Sequence, residues 1–202
     1  MLVPHVIVND AKSNVTHARV RVVVSVAAVI AMCAFIFLMS HEPAEQSDEL
    51  SLGVAWNIVS ILVPGYGDMS SADQLEWQKM LNHPVRKTAH FLEYAALGAL
   101  MLNMLMQISR LREIGLSTDA RSGSGKASDS PPRSLRDPAY KRSLVILAWL
   151  LTTFYASTDE VHQMFVAGRA GMVTDVLLDS TGALTGVLLY WLLFFRTRHR
   201  AR

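Results

Sequence analysis

The chain is poor in cysteine. Cys33 is the only one in 202 residues, so no intrachain disulfide can form and no thiolate set is available to a metal. Charge is scarce too. Asp, Glu, Lys and Arg make up 18% of residues, below the roughly 25% of ordinary soluble domains. What charge there is nearly balances, at +2, too little to suggest a nucleic-acid partner. The usual catalytic and metal signatures are missing as well. There is no His-Glu-x-x-His helix, no zinc-type spacing, and no Gly-x-Ser-x-Gly elbow around Ser157 or Thr158. No cofactor and no metal is expected, and those two hydroxyls should bond back to their own helix.

Apolar residues are abundant instead. They make up 51%, with a mean hydropathy of +0.26, and they are gathered into long runs. Residues 20–40 form a run of about the ~20 residues that a helix needs to cross a bilayer. Arg21 lies at its edge, where a side chain can snorkel. Further runs cover residues 88–107, 143–163 and 172–195. The expected fold is an all-α polytopic membrane protein with about four transmembrane helices. Residues 50–63 are apolar but too short to span. They precede Pro64, Gly65 and Gly67, and are expected as a short interfacial or re-entrant helix in the first loop. Residues 74–82 suggest a short surface helix. The expected organisation is a tail (1–19), a membrane domain (20–195) and a basic tail (196–202). A disordered, basic, Ser- and Gly-rich loop is expected at about 113–140. The Met-rich stretch 100–106 reads as packing and lipid-facing surface.

Orientation follows from the Lys and Arg count near the spans. With four spans, both tails, Arg21 at the edge of the first span and the connection 108–142 share one side and carry fifteen Lys and Arg; the other side carries four. Both termini are therefore expected in the cytoplasm. The acidic first loop and the turn at 164–171 are expected on the outer face.

That topology brings three polar helix ends to one level. Span two begins with Arg86, Lys87, His90, Glu93 and Tyr94. Span three ends with Asp159, Glu160, His162 and Gln163. Arg169 follows in a Gly-Arg-Ala-Gly turn, and span four opens with Asp175 and Asp179. At 100° per residue, Lys87, His90, Glu93 and Tyr94 share an arc of about 120°. Tyr155, Asp159, His162 and Gln163 share a face, with Glu160 pointing away. Lys87 is a candidate partner for Glu93 or an acid of another helix, and Arg169 for Asp175 or Asp159. Charges within a span cost roughly 2.5–3.5 kcal/mol each on insertion scales, so a cluster of them marks a functional site by default. Gly182 and Gly186 continue the Asp175–Asp179 stripe as a Gly-x-x-x-Gly face, suited to packing within the chain or between two copies. His5, His17, His41 and His199 are expected in solvent, and His83 in a turn.

These blocks resemble the VanZ-like family of membrane proteins. The resemblance rests on RKTAHFLEYAALG (86–98), ASTDEVHQMFVAGRAG (156–171) and DVLLDSTGALTG (175–186). It covers residues from about 51 to 195. Two positions depart from the family: Ala167 stands where Pro is frequent, and Asp179 where Asn is frequent. The resemblance implies a multi-pass protein of the bacterial cytoplasmic membrane, associated with resistance to teicoplanin, a lipid-bearing glycopeptide that acts at the outer face.

The function expected is a non-enzymatic, outward-facing polar pocket that binds a lipid headgroup or a lipid-linked cell-wall intermediate, or meets the lipoglycopeptide. Membrane lipids and a second copy of the chain are the other partners considered. The alternative is an intramembrane or interfacial hydrolase that uses the His and carboxylate residues, with or without a metal. A third reading is an ion-pair and hydrogen-bond network that only fixes the bundle.

Overall fold

The computed structural model describes residues 4–122 and 134–195, and within them it is all helix, with turns between. Five helices follow in order: α1 (Pro4–His41), α2 (Ala44–Leu62), α3 (Ser71–Ser122), α4 (Pro138–Gln163) and α5 (Val173–Phe195). A short 3-10 turn, Tyr66–Asp68, separates α2 from α3. Four stretches are long and apolar enough to cross a membrane: Ser13–His41, Ser71–Ser117, Pro138–Gln163 and Val173–Phe194. The outer surface of these helices is apolar. Val23, Ile30, Leu38, Phe154, Leu177 and Leu193 are all exposed, as expected where the solvent is hydrocarbon rather than water.

Helix α3 is the centre of the bundle and touches all four other helices. Its face toward α5 is built from small residues. A Cβ on Gly182 would press on the Phe91 carbonyl, one on Gly186 on the Ala95 carbonyl, and one on Gly98 on the Ala183 carbonyl. Without side chains at these points the two backbones approach closely, which is how membrane helices associate where burial from water offers no gain. The Gly-x-x-x-Gly stripe therefore packs within the chain. Another face of α3 joins α1 and α4 in the core, where Val29, Ile36, Leu97, Met101, Met106, Leu144 and Ala156 are buried together. Trp149 ties α4 to α5 by donating its ring N–H to the Ser180 carbonyl at 3.1 Å.

At 52 residues α3 is about 78 Å long at 1.5 Å per residue, far more than the ~30 Å hydrocarbon layer. The short surface helix expected at 74–82 and the span expected at 88–107 are both parts of it. Pro84 lies inside the helix, where it removes the N–H that would reach the Met80 carbonyl. The part of α3 before and around Pro84 pairs with the 3-10 turn and with α2. Gln78 donates to the Tyr66 hydroxyl at 2.8 Å, and Arg86 reaches Asp48 at 2.9 Å. Ala55 and Val59 bury the inner face of α2, while Trp56 and Ile61 face outward. This is the shorter helix read from residues 50–63, begun earlier in the chain.

At the opposite end of the bundle Asp137 caps α4, accepting the Ala139 N–H at 2.8 Å, with Pro138 in the first turn. Glu113 of α3 accepts the Ser134 hydroxyl at 2.8 Å and the Leu135 N–H. Helix extends into both ends of the stretch 113–140 expected as a disordered loop: α3 continues to Ser122 and α4 begins at Pro138, with the Asp137 cap and the Glu113 contacts holding the flanks. Residues 123–133 and the basic tail 196–202 lie outside the described residues. In the expected tail 1–19, helix begins at Pro4.

Candidate functional site

Helices α1, α3, α4 and α5 bring their polar turns to one end of the bundle. The centre of that end is Asp159, only 3% exposed. Its Oδ2 accepts three hydrogen bonds, from Ser40 Oγ at 2.7 Å, Tyr94 Oη at 3.1 Å and Gln163 Nε2 at 3.1 Å. One carboxylate oxygen thus joins α1, α3 and α4. The i, i+4 spacing of Asp159 and Gln163 puts both on one face of α4. Asp159 Oδ1, by contrast, is buried and has no hydrogen-bond partner.

Arg169 sits beside this hub in the turn between α4 and α5. Gly168 precedes it at φ +74°, the left-handed region that glycine enters without a Cβ clash. The turn directs the guanidinium to the end of α1. Nε donates to the Glu42 carbonyl at 2.9 Å and Nη2 to the Met39 carbonyl at 3.2 Å. These are carbonyls that the end of α1 leaves without helical partners, and a cation there also meets the negative pole of the helix. Nη1 lies 3.5 Å from Gln163 Oε1. Burial pulls the Arg169 guanidinium down from its ordinary range, as does the charge of Arg86; Asp159 and Glu160 oppose the shift. The expected direct pairing of Arg169 with Asp175 or Asp159 is replaced by these carbonyl contacts.

Between α1, α2 and α3 lies a cavity of about 170 Å³. Arg86, His90, Glu93 and Arg169 supply its polar lining, with Glu42 and Ser47; Leu50, Val54 and Val85 are among its apolar wall. His90 Nδ1 and Glu93 Oε2 lie 3.8 Å apart, and both atoms are buried without a hydrogen-bond partner. Buried polar atoms almost always have partners, so an unpaired histidine and carboxylate on residues that line one cavity are unusual in ordinary packing.

The remaining polar residues lie on other faces. Lys87 forms an ion pair with Asp175 and so ties α3 to α5; it pairs with an acid of another helix rather than with Glu93. Glu160 faces away from the Asp159 hub, as its angle on α4 requires, and accepts the Met172 N–H at 2.9 Å, bracing the turn. Asp179 is 1% exposed, with Oδ1 unpartnered. His162 points to α1, where its Nε2 is 3.3 Å from His41 Nδ1 and its ring stacks on Phe37 with centroids 4.5 Å apart. The twelve candidate residues thus form a hub, a cavity, the Lys87–Asp175 ion pair, a bracing Glu160, a histidine contact and the separately buried Asp179 rather than one basin. Among the described residues no three His, Cys, Asp or Glu side chains converge as a metal-binding group.

Four participants were not visible in the sequence. Ser40 and His41 look like the polar edge of an apolar run, and His41 was expected in solvent. It is exposed, but it also holds His162. Glu42 and Asp48 look like members of a solvated acidic loop. Only the docking of α1 against α4 and its following turn, and of α2 on α3, gives these residues partners, and no spacing within one helix encodes that. Ser157 and Thr158 do bond back, to the carbonyls of Thr153 at 3.0 Å and Tyr155 at 2.7 Å.

Residues 25–195 match the family model described as VanZ/LLP1. No curated protein matches the chain, and no solved structure does.

Proposed function

The chain belongs to the VanZ/LLP1 family of membrane proteins, and from that premise we propose that the cavity between α1, α2 and α3 is an outward-facing site for the phosphate-bearing headgroup of a cell-envelope lipid. A lipid-linked cell-wall intermediate fits that chemistry. The observation that carries the proposal is the unpartnered pair His90 Nδ1 and Glu93 Oε2, placed on a cavity that Arg86 and Arg169 also line. The arginines would meet phosphate oxygens, with planar guanidinium groups suited to two contacts each. His90 and Glu93 would hydrogen-bond the rest of the headgroup. The apolar wall of Leu50, Val54 and Val85 would take the first part of the lipid chain.

The orientation belongs to the same proposal. Arg19, Arg21, Arg110, Arg112, Lys141 and Arg142 lie at the end of the bundle away from the cavity, which supports termini on the cytoplasmic side of a bacterial cytoplasmic membrane. A headgroup site on the outer leaflet is where a protein protecting against a lipid-bearing glycopeptide such as teicoplanin would act.

The test is the teicoplanin susceptibility of cells that depend on this protein, with membrane abundance measured in parallel. Glu93→Gln and His90→Ala are expected to lose protection at normal abundance. Full protection by both variants would reject the proposal. These positions are better probes than Arg169, whose loss would also uncap α1. One observation favours a second reading, interfacial hydrolysis: a His and a carboxylate 3.8 Å apart resemble a general-base pair acting through a water. Release of a water-soluble headgroup from lipid by purified protein, lost in Glu93→Gln, would support hydrolysis over binding.

A further inference from the structure

A second polar recess lies at the opposite end of the same bundle. It has a volume of about 430 Å³ and is lined by Asn103, Gln107 and Arg110 of α3 and by Tyr190 and Phe194 of α5, among others. None of these residues belongs to the cavity near His90. Gln107 is seventeen residues beyond His90, or about 26 Å along α3 at 1.5 Å per residue. That is close to the ~30 Å hydrocarbon thickness. The recess therefore runs from within the span at Ala99 and Leu100 to the other headgroup level at Gln107 and Arg110.

Its chemistry is organised. Asn103 Oδ1 accepts the Tyr190 hydroxyl at 2.8 Å and the Gln107 amide at 3.2 Å. With its oxygen engaged twice, the Asn103 amide is fixed, and its NH2 group remains to donate. Arg110 adds a guanidinium to the lining. Tyr190 and Phe194 stack with centroids 4.6 Å apart, a flat apolar wall beside the polar floor. Donors and a cation toward the end of the span, next to an aromatic wall whose Phe194 is exposed on the apolar outer surface, suit an anion with a hydrocarbon tail. A water-soluble ion would gain nothing from the wall.

We infer that this recess binds the glycerophosphate headgroup of an anionic phospholipid from the leaflet opposite the His90 cavity. Arg110 holds the phosphate, Asn103 and Gln107 donate to phosphate or glycerol oxygens, and an acyl chain lies on the Tyr190–Phe194 wall. The basic residues around this end, Arg19, Arg21, Arg112, Lys141 and Arg142, raise the local concentration of anionic lipid.

Native mass spectrometry of the full-length protein in mild detergent tests this, with phosphatidylglycerol or phosphatidylcholine added. Wild type is expected to retain one phosphatidylglycerol selectively, and Arg110→Gln to weaken its retention at least tenfold. Gln107→Leu is expected to weaken it severalfold, and serves if Arg110→Gln does not elute as a folded species on gel filtration. Glu93→Gln at the other cavity should leave this lipid in place, so failure here and failure of the proposed function are separable. Equal retention of phosphatidylglycerol by wild type and the folded variants would overturn the inference. So would equal retention of phosphatidylcholine, or displacement by free glycerol phosphate at the concentration of the lipid.

Discussion

Replacing Asp159 by alanine should loosen three helices at once. Its Oδ2 accepts from Ser40, Tyr94 and Gln163, which lie on α1, α3 and α4. Hydrogen bonds between membrane helices average ~0.6 kcal/mol and reach ~1.7. Two of the three run between helices, the Gln163 bond lying within α4, and they give a loss of roughly 1–3 kcal/mol, because the donors stay buried when their acceptor goes. Asp159→Asn keeps an oxygen in place and should cost no more than ~1–2 kcal/mol. Tyr94→Phe removes a single donor and should cost about 1 kcal/mol. The Tyr94→Phe/Asp159→Ala double variant should then be less destabilised than the sum of its singles, by about the strength of that one bond. Unfolding of the purified protein in micelles, followed by helix loss and by steric trapping, reads each of these. An Asp159→Ala protein within about 0.5 kcal/mol of wild type, the range of a neutral surface change, would refute the hub.

Other changes probe the α3–α5 contact. Gly186→Ala places a methyl against the Ala95 carbonyl, and the forced separation should cost ~1–3 kcal/mol, read as a lower unfolding midpoint. Lys87→Glu sets two like charges together at the site of the Lys87–Asp175 pair and should lower membrane abundance. Adding Asp175→Lys should restore most of it, by about 1 kcal/mol, and a double variant no better than Lys87→Glu would show that the pair does not hold α5.

The sequence makes the number of spans legible because hydrocarbon imposes a length and a composition on each one. It also shows that the polar turns share one end, since alternating topology leaves no other arrangement once four spans are counted. The angles on α4 are correct for Asp159, Gln163 and Glu160, because helical geometry is local. Partners are a different matter. Lys87 has Glu93 on its own helix and the acids of other helices as candidates, and only the close approach allowed by Gly182 and Gly186 selects Asp175. Arg169 offers a guanidinium that any acid could attract, yet the free carbonyls at the end of α1 claim it. The continuity of α3 through Pro84 is hidden for a related reason: proline usually marks a helix end, and the packing of α2 against residues on both sides of it holds the helix together.

The placement of the Asp159 hub has a consequence for how the protein is made. Ser40 and Asp159 are 119 residues apart in the chain. At ~5–20 residues per second of synthesis, α1 waits roughly 6–24 s in the membrane before α4 emerges. The Met39 carbonyl waits longer still, since Arg169 follows 130 residues behind it. Near the midplane, such a delay would leave unsatisfied groups in hydrocarbon. At the end of the bundle, each early arrival can be kept hydrated by water among the headgroups until its late partner displaces that water. The depth of the cluster thus lets a protein with widely separated partners assemble in chain order without a stranded intermediate.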